Sequence, residues 1–491
     1  MDLAHWIDRH ARFAPQSVAL RFAGREISYA ELAHRIERAA AVLAQRGTKP
    51  GDAIAYLGMN HPAVLVLLFA CARLGAMFAP MNWRLAPPEH ARVLADCRPR
   101  VLFVEPSFAS VAGASGTGIA IADIAELERE SAGEAPARVG NDESPVLLGY
   151  TSGSTGVPKG VVLTQRALQW NAINSAHMHD LTSADRVLTT LPLFHVGGLN
   201  IQTTPALHAG ASVTLHAKFD PLATLNALEH EGITLTVLVP AQFAALMDLP
   251  RWASADLSGV RMISTGSTIV SAALVRKVSE RGSPVIQVYG ATETCPIASY
   301  VRPADALRKA GSAGLAALHV ELKIVDDTGA ELPAGCDGEI LVRGPNVASG
   351  YINAPLDTAR GFADGWYHSG DIGHLDDEGY LYVVSRKKDM IICGGENIYP
   401  VDVEDVLSEC TLIAEACVVG RPDARWGEVV VAAVVLKTGC SMTHAEVLKL
   451  FEGRIARYKH PRDVRFLERL PRSALGKVQK DAVRAAVRSE D

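Results

Sequence analysis

The chain has 491 residues, 48% of them hydrophobic and 21% charged, with a formal net charge of −6. That length exceeds what one hydrophobic core usually serves, so two or more domains are expected. The mild acidity argues against the clustered basic face that nucleic acid or an anionic membrane asks for, while leaving room for a local basic pocket.

In chain order, residues 1–10 are charged and amphipathic, unlike a signal peptide. Residues 29–46 have helical spacing with Ser28 as N-cap. Residues 52–57 and 101–104 read as buried strands beside helices at 61–75 and 87–97. The most apolar run, 63–72, meets Arg73 after about ten residues and is too short to span a bilayer. This β-α-β rhythm predicts a mostly parallel sheet covered by helices. Residues 105–144 read as a loose surface connection. Strands follow at 187–191, 212–215, 234–239, 260–264 and 285–289, with helices between them. Past 310, short strands at 320–325, 338–342 and 380–384 read as an antiparallel β subdomain. A compact α+β unit then has helices at 401–410, 444–451 and after 479, and strands at 416–420 and 429–436. The fold class is therefore α/β: a large domain of αβ-layered subdomains plus a β subdomain (1–385) and a small α+β domain (389–491), with a charge run (386–388) between them. The eight cysteines form no Cys-x-x-Cys pair and read as reduced thiols, which predicts a cytoplasmic protein.

The chemistry starts at Tyr150-Thr151-Ser152-Gly153-Ser154-Thr155-Gly156-Val157-Pro158-Lys159-Gly160. Glycines let backbone N–H groups close around an oxyanion, hydroxyls add donors, and Lys159 adds charge. The stretch reads as a phosphate cradle between two strand-like runs; a surface linker is the bland alternative. A P-loop needs Gly-Lys-Ser/Thr opening a helix, and Pro158 and Gly160 around Lys159 break that pattern.

Five further stretches belong with it: Leu191-Pro192-Leu193-Phe194-His195-Val196-Gly197-Gly198; Tyr289-Gly290-Ala291-Thr292-Glu293-Thr294; Gly365-Trp366-Tyr367-His368-Ser369-Gly370-Asp371; Arg386-Lys387-Lys388-Asp389 with Gly394-Gly395; and Pro471-Arg472-Ser473-Ala474-Leu475-Gly476-Lys477. In this order the set resembles the core motifs of the adenylate-forming superfamily (acyl- and aryl-CoA ligases, peptide-synthetase adenylation domains and luciferases), from about residue 10 to 485. It is most similar to bacterial aryl- or acyl-CoA ligases such as chlorobenzoate–CoA ligase. No Gly-x-Ser-x-Gly or His-Glu-x-x-His occurs, which sets hydrolase triads and zincins aside.

The resemblance implies a two-step reaction with ATP, Mg²⁺ and coenzyme A. A carboxylate attacks the α-phosphate to give an acyl-adenylate and pyrophosphate, and a thiol then displaces AMP. It implies Lys477, His195, Glu293 and Thr292 as catalytic residues, with Glu293 at the metal. ATP and AMP would be met by Thr151, Ser152, Gly153, Ser154, Thr155, Gly156, Lys159, Gly266, Ser267, Tyr289, Gly290, Ala291, Thr292, Asp371, Arg386 and Lys477. Coenzyme A would be met by Arg84, Gly394, Gly395 and Trp426, and Lys388 would be the hinge. Lys477 would bridge the acyl carboxylate and α-phosphate when the small domain closes.

Bland readings stand beside these roles: a solvated Lys477, a helix-capping Glu293, a packed or capping His195, a surface ion pair for Asp371 or Arg386, and plain packing for Trp426. Two departures from the family pattern, Ser385 before the hinge arginine and Gly266-Ser267-Thr268, bear on substrate details more than on chemistry.

His195, Val196, Gly197, Phe243, Thr265, Val288 and Ile297 follow motif-bearing strands and are expected as acyl-pocket walls. Their apolar character points to an aromatic or medium- to long-chain aliphatic acid. The stretch after His195 lacks the acidic residue that amino-acid-activating modules carry, so an amino acid is not expected. Loading of an acid onto a carrier protein stays open, as does a catalytically idle sensor, against which Lys477 and Glu293 speak. The expected partners are the acid, ATP and coenzyme A, with no nucleic acid and no integral membrane segment; a homodimer is open.

Overall fold

The computed structural model describes residues 1–488 apart from 117, 129–132, 134, 153–157, 267–269, 271, 394–395, 424–425, 453, 456 and 474–475. For residues 152, 396 and 397 it describes the backbone alone. The chain divides into two compact units, residues 1–323 with 341–369, and residues 324–340 with 370–491.

The first unit is built on two sheets. A seven-stranded sheet runs in the order Gly350–Tyr351, Pro158–Thr164, Pro145–Ser152, Met77–Met81, Ala53–Leu57, Val101–Val104 and Ile121–Asp123. Its last five strands are parallel, as the β-α-β rhythm predicts, and the strands around the glycine loop are antiparallel. Helix Tyr29–Gln45 starts as expected, with Ser28 Oγ accepting the Glu31 N–H at 3.1 Å. Helix Pro62–Leu74 is buried almost throughout and stops at Gly75, whose φ of 65° only glycine adopts without strain. Its apolar run is core: among the described residues no helix is long and apolar enough to cross a membrane.

One expectation is corrected, and one strand unread in the sequence is added. Residues 105–144 are not wholly a loose connection, because Ile121–Asp123 adds a strand beside Val101–Val104. The N-terminal strand Val18–Phe22 does not join the sheet formed by the segments next in the chain. It pairs in parallel with Ser212–Leu215, nearly two hundred residues on, and Arg25–Ser28 pairs with its other side.

That second sheet has nine strands, ordered Leu315–Ala316, Ser299–Tyr300, Val285–Tyr289, Met262–Thr265, Leu235–Val237, Arg186–Thr189, Ser212–Leu215, Val18–Phe22 and Arg25–Ser28. The middle strands, from Val285–Tyr289 to Val18–Phe22, are parallel. Leu188, Leu225, Phe243, Leu246, Trp252 and Ile263 pack into its core.

In the second unit, strand Gly427–Leu436 lies between Ile413–Asp423 and the parallel strand Asp463–Phe466. Alternation sends Val430, Ala432 and Val434 into one apolar cluster with Val403 and Val447. It sends Val431 and Ala433 into another with Val483 and Val487. Helices Pro400–Ser408 and His444–Lys449 thus contribute to one cluster and Lys480–Arg488 to the other. A hairpin in this unit pairs Asp371 with Arg386.

Candidate active site

Parallel strands all end on the same edge of a sheet, and the loops after those ends share a crevice. In the nine-stranded sheet, strands Arg186–Thr189, Leu235–Val237, Met262–Thr265 and Val285–Tyr289 end together. Thr265, Gly266, Val288, Tyr289 and Gly290 sit at these ends, and the His195 stretch comes after the first of them.

Two glycines set how closely the parts approach. A Cβ on Gly266 would lie 2.4 Å from the carbonyl oxygen of Val288, so only glycine fits between these strands. A Cβ on Gly149 would lie 2.6 Å from Thr292 Cγ2 and 3.7 Å from Val196 Cγ1. Gly149 therefore seats the strand leading to the glycine loop against the Thr292 and His195 stretches. Three motifs far apart in sequence meet at that point.

Thr292 and Glu293 lie on a single helical turn after strand Val285–Tyr289, and both are buried, each with 8% of its surface exposed. The Glu293 carboxylate accepts the Tyr351 hydroxyl at 2.7 Å. Burial first, and then the Glu293 charge, push the Tyr351 phenol up, which keeps it protonated as the donor. The backbone around Glu293 is clamped as well: its carbonyl accepts the Ala348 N–H at 2.8 Å, and Asn346 Nδ2 donates to the carbonyls of Thr294 and Ile297. A buried acceptor-only carboxylate suits a hard cation. Such a carboxylate has the chemistry to share Mg²⁺ with substrate phosphates.

The strands Pro145–Ser152 and Pro158–Thr164 place Thr151 opposite Lys159 across the ladder. Lys159 pairs with Asp357 at 2.9 Å and stands 5.5 Å from the ring centre of Tyr351. Tyr351 is thus shared by the loop lysine and Glu293. His195 is half-buried, and its Nδ1 accepts the Gly197 N–H at 3.0 Å, which leaves Nε2 to carry the proton. The Arg84 guanidinium lies 6.0 Å from the Phe194 ring centre and 4.9 Å from that of Trp83, and burial lowers its pKa. Val196, Gly197, Thr265, Val288 and Ile297 are buried. Phe243 lies in the packed core of the nine-stranded sheet, among Leu246, Trp252 and Ile263.

In the second unit, Arg386 Nε pairs with Asp371 at 3.0 Å, with Asp371 buried and Arg386 exposed. Lys477 ends a short turn in which its N–H donates to Ser473 Oγ at 3.2 Å and Ser473 N–H donates back to its carbonyl at 2.7 Å. Although exposed as a residue, Lys477 has its ammonium held below its usual pKa, by lost hydration first and then by Arg386, with Asp371 acting the other way. Lys388 lies on the turn Lys387–Asp389, 4.0 Å from Asp481. Trp426 packs on the core of this unit, with the Arg462 guanidinium 4.7 Å from its ring centre. Gly153, Ser154, Thr155, Gly156, Ser267, Gly394 and Gly395, and the side chain of Ser152, lie outside the described residues.

Sequence reasoning missed Tyr351, Asn346 and Asp357. Each acts on a partner remote in the chain, and no spacing marks it. The one signal is Gly350-Tyr351, a short strand that pairs with Val161 and Val162 of the glycine-loop hairpin.

Residues 7–352 match the family model described as AMP-binding enzyme, and 402–477 match that of the AMP-binding enzyme C-terminal domain. The chain belongs to the AMP-binding enzyme family. It is 56% identical over 504 aligned residues to an indoleacetate–CoA ligase of Aromatoleum aromaticum, covering 99% of this chain and 98% of that protein. It is 43% identical to a feruloyl-CoA synthase of an Amycolatopsis species, with 98% of both covered. Among solved structures, the o-succinylbenzoate CoA synthetase MenE of Bacillus subtilis, in complex with the acyl-adenylate intermediate OSB-AMP, matches with a TM-score of 0.89 and 33% identity, over 99% of this chain and 98% of that one.

Proposed function

We propose that this chain, an ATP-dependent carboxylic acid–CoA ligase, acts on an aromatic acid with a short side chain, of the kind that indoleacetate represents. The observation that carries the reading is the meeting at Gly149 of the glycine-loop strand, Thr292 and the His195 stretch. Phosphate-binding, metal-binding and acyl-binding candidates thereby share one crevice. Buried Val196, Val288 and Ile297 suit an apolar ring, and the relatives named for indoleacetate and ferulate support an aromatic acid over a fatty one.

In the first step the carboxylate oxygen attacks the α-phosphate of ATP, the bond to pyrophosphate breaks, and a mixed anhydride forms. In the second, the thiol of coenzyme A attacks the acyl carbon and AMP leaves. Negative charge gathers on the phosphates in the first step, so donors and cations aimed there lower the barrier. Bound Mg²⁺ would neutralise part of that charge. Glu293, oriented by Tyr351, is proposed to hold it, with Thr292 and the hydroxyls and N–H groups of the loop as donors. Lys477 is proposed to supply the positive charge to the acyl carboxylate and α-phosphate. Tyr289 and the Asp371–Arg386 pair are proposed for adenine and ribose, Arg84 and Trp426 for coenzyme A, and Lys388 as the pivot between steps. All eight cysteines are free thiols, which supports a cytoplasmic location, and the net charge of −6 supports the absence of a nucleic-acid partner.

The test is release of AMP and pyrophosphate with ATP, coenzyme A and a panel of indole-, phenyl- and cinnamic-type acids beside fatty acids of graded length. Faster turnover of the aromatic acids is expected. Formation of ADP, or turnover of fatty acids alone, would overturn the proposal, and transfer to a carrier protein without transfer to coenzyme A would reassign the acceptor.

A further inference from the structure

Asp96 stands in the last turn of helix Pro87–Cys97. The C-terminal end of a helix carries partial negative charge, so a carboxylate there is disfavoured unless something else holds it. Two groups from remote parts of the chain do so. The Tyr150 hydroxyl donates to Asp96 Oδ2 at 2.7 Å. Asn353 Nδ2 donates to the Asp96 carbonyl at 2.9 Å and to its Oδ1 at 3.2 Å. Burial first, and then Cys97 and Asp96, push the Tyr150 phenol up, so the hydroxyl stays protonated as the donor. Asn353 has a φ of 54°, in the left-handed region, and its bonds to Asp96 hold the turn it makes.

Both partners adjoin the candidate active site. Tyr150 precedes Thr151 on the strand that enters the glycine loop, and it faces Gly160 across the ladder. A Cβ on Gly160 would lie 2.7 Å from Ile352 Cγ2 and 3.0 Å from Tyr150 Cζ, so glycine makes room there for both side chains. The Ile352 N–H donates to the Gly160 carbonyl at 2.8 Å. Asn353 follows Tyr351 by two residues, and the Tyr351 hydroxyl goes to Glu293. One carboxylate thus ties the strand of the loop to the segment that orients Glu293.

Adenylation needs the donors of the loop and the Glu293 carboxylate at one fixed separation. A displacement of about 1 Å can cost on the order of a hundredfold in rate, even when the altered residue is remote from the chemistry. We infer that Asp96 is a positioning residue that sets this separation by holding Tyr150 and Asn353 together. This rests on the phosphate-cradle reading of the glycine loop and deepens it. The action of Asp96 passes through Tyr150 to Thr151, and through Asn353 to Tyr351.

The experiment measures pyrophosphate release with the best acid of the panel above while MgATP is varied, beside thioester formation from preformed acyl-adenylate. Asp96→Ala is expected to raise KM for MgATP about tenfold and to change thioester formation by less than about twofold, because the second step no longer holds pyrophosphate. Asp96→Asn, which keeps an acceptor for the hydroxyl, is expected to bring KM back to within about threefold of wild type. Tyr150→Phe is expected to raise KM severalfold, and to raise it no further when added to Asp96→Ala, since both remove the same bond. Should Asp96→Ala not fold, Tyr150→Phe, which removes a single hydroxyl, decides the matter by the same reading. A lower melting temperature with KM unchanged overturns the inference, as do equal losses in both half-reactions or an Asn variant no better than the Ala one. Thr151→Ala is the control for the loop. An unchanged KM for MgATP in that variant overturns the cradle reading, and this inference with it. A raised KM there, beside wild-type values in Asp96→Ala, overturns this inference alone.

Discussion

Glu293 and Lys477 are held in opposite ways. Glu293 is 8% exposed, its carboxylate accepts a hydroxyl at 2.7 Å, and its carbonyl accepts the Ala348 N–H. Lys477 is exposed on a turn closed by two hydrogen bonds to Ser473. The difference teaches which of these two proposed catalytic groups is preorganised. Donors and carboxylates built into a packed sheet edge keep their geometry at no cost during reaction, whereas a charge on an exposed turn can be present for one step and absent for the next.

The sharpest way to break this comparison is Lys477→Ala. A unit charge at ~4 Å and an effective dielectric of ~20 is worth on the order of 4 kcal/mol, so adenylation should fall roughly a thousandfold. Thioester formation from preformed acyl-adenylate should largely persist, and equal loss of both half-reactions would place Lys477 with the rigid part.

The rigid part should be sensitive to acid. His179, buried beside Ser264 with its pKa pulled down to about 4, titrates near 6.5 when unfolded. As pH falls from about 6.5 toward 4, the unfolded chain takes up a proton that the native one refuses. Stability should drop over that window by as much as ~3 kcal/mol. Urea unfolding at several pH values measures it, and a slope unchanged in His179→Gln would remove His179 as the cause.

Gly149→Ala would set a methyl against Thr292, and overpacking of this kind costs roughly 1–3 kcal/mol. The melting temperature and the adenylation rate should fall together; unchanged kinetics would separate Gly149 from the site. The smallest effect is expected for Tyr351→Phe, which removes one hydrogen bond to Glu293 worth ~1 kcal/mol or somewhat more. It should raise the Mg²⁺ needed for half-maximal rate severalfold, and an unaltered Mg²⁺ curve would confine Tyr351 to packing.

Much of this was legible locally. The Ser28 cap, the helices of the β-α-β units and the strand at 285–289 come from periodicity and capping, whose causes lie within a few residues. The glycine loop was readable as a phosphate cradle from its glycines, hydroxyls and lysine, whereas roles such as that of Glu293 came from the ordered family motifs. What stayed hidden were relations across the chain: the Tyr351 hydroxyl on Glu293, Asn346 clamping the Thr294 and Ile297 carbonyls, and the packing of Phe243 with Leu246, Trp252 and Ile263.

By itself, then, the sequence determined which elements form, where the turns fall and which chemistry the motifs can perform, since backbone propensity and side-chain type act over short range. Only the tertiary structure decided that Val18–Phe22 joins a sheet of residues far downstream, that Gly149 meets Thr292, and that Asp96 holds Tyr150 and Asn353 at once. Those outcomes depend on the register of strands and the closeness of packing, which arise from burying many side chains at once and are written in no single stretch of the chain.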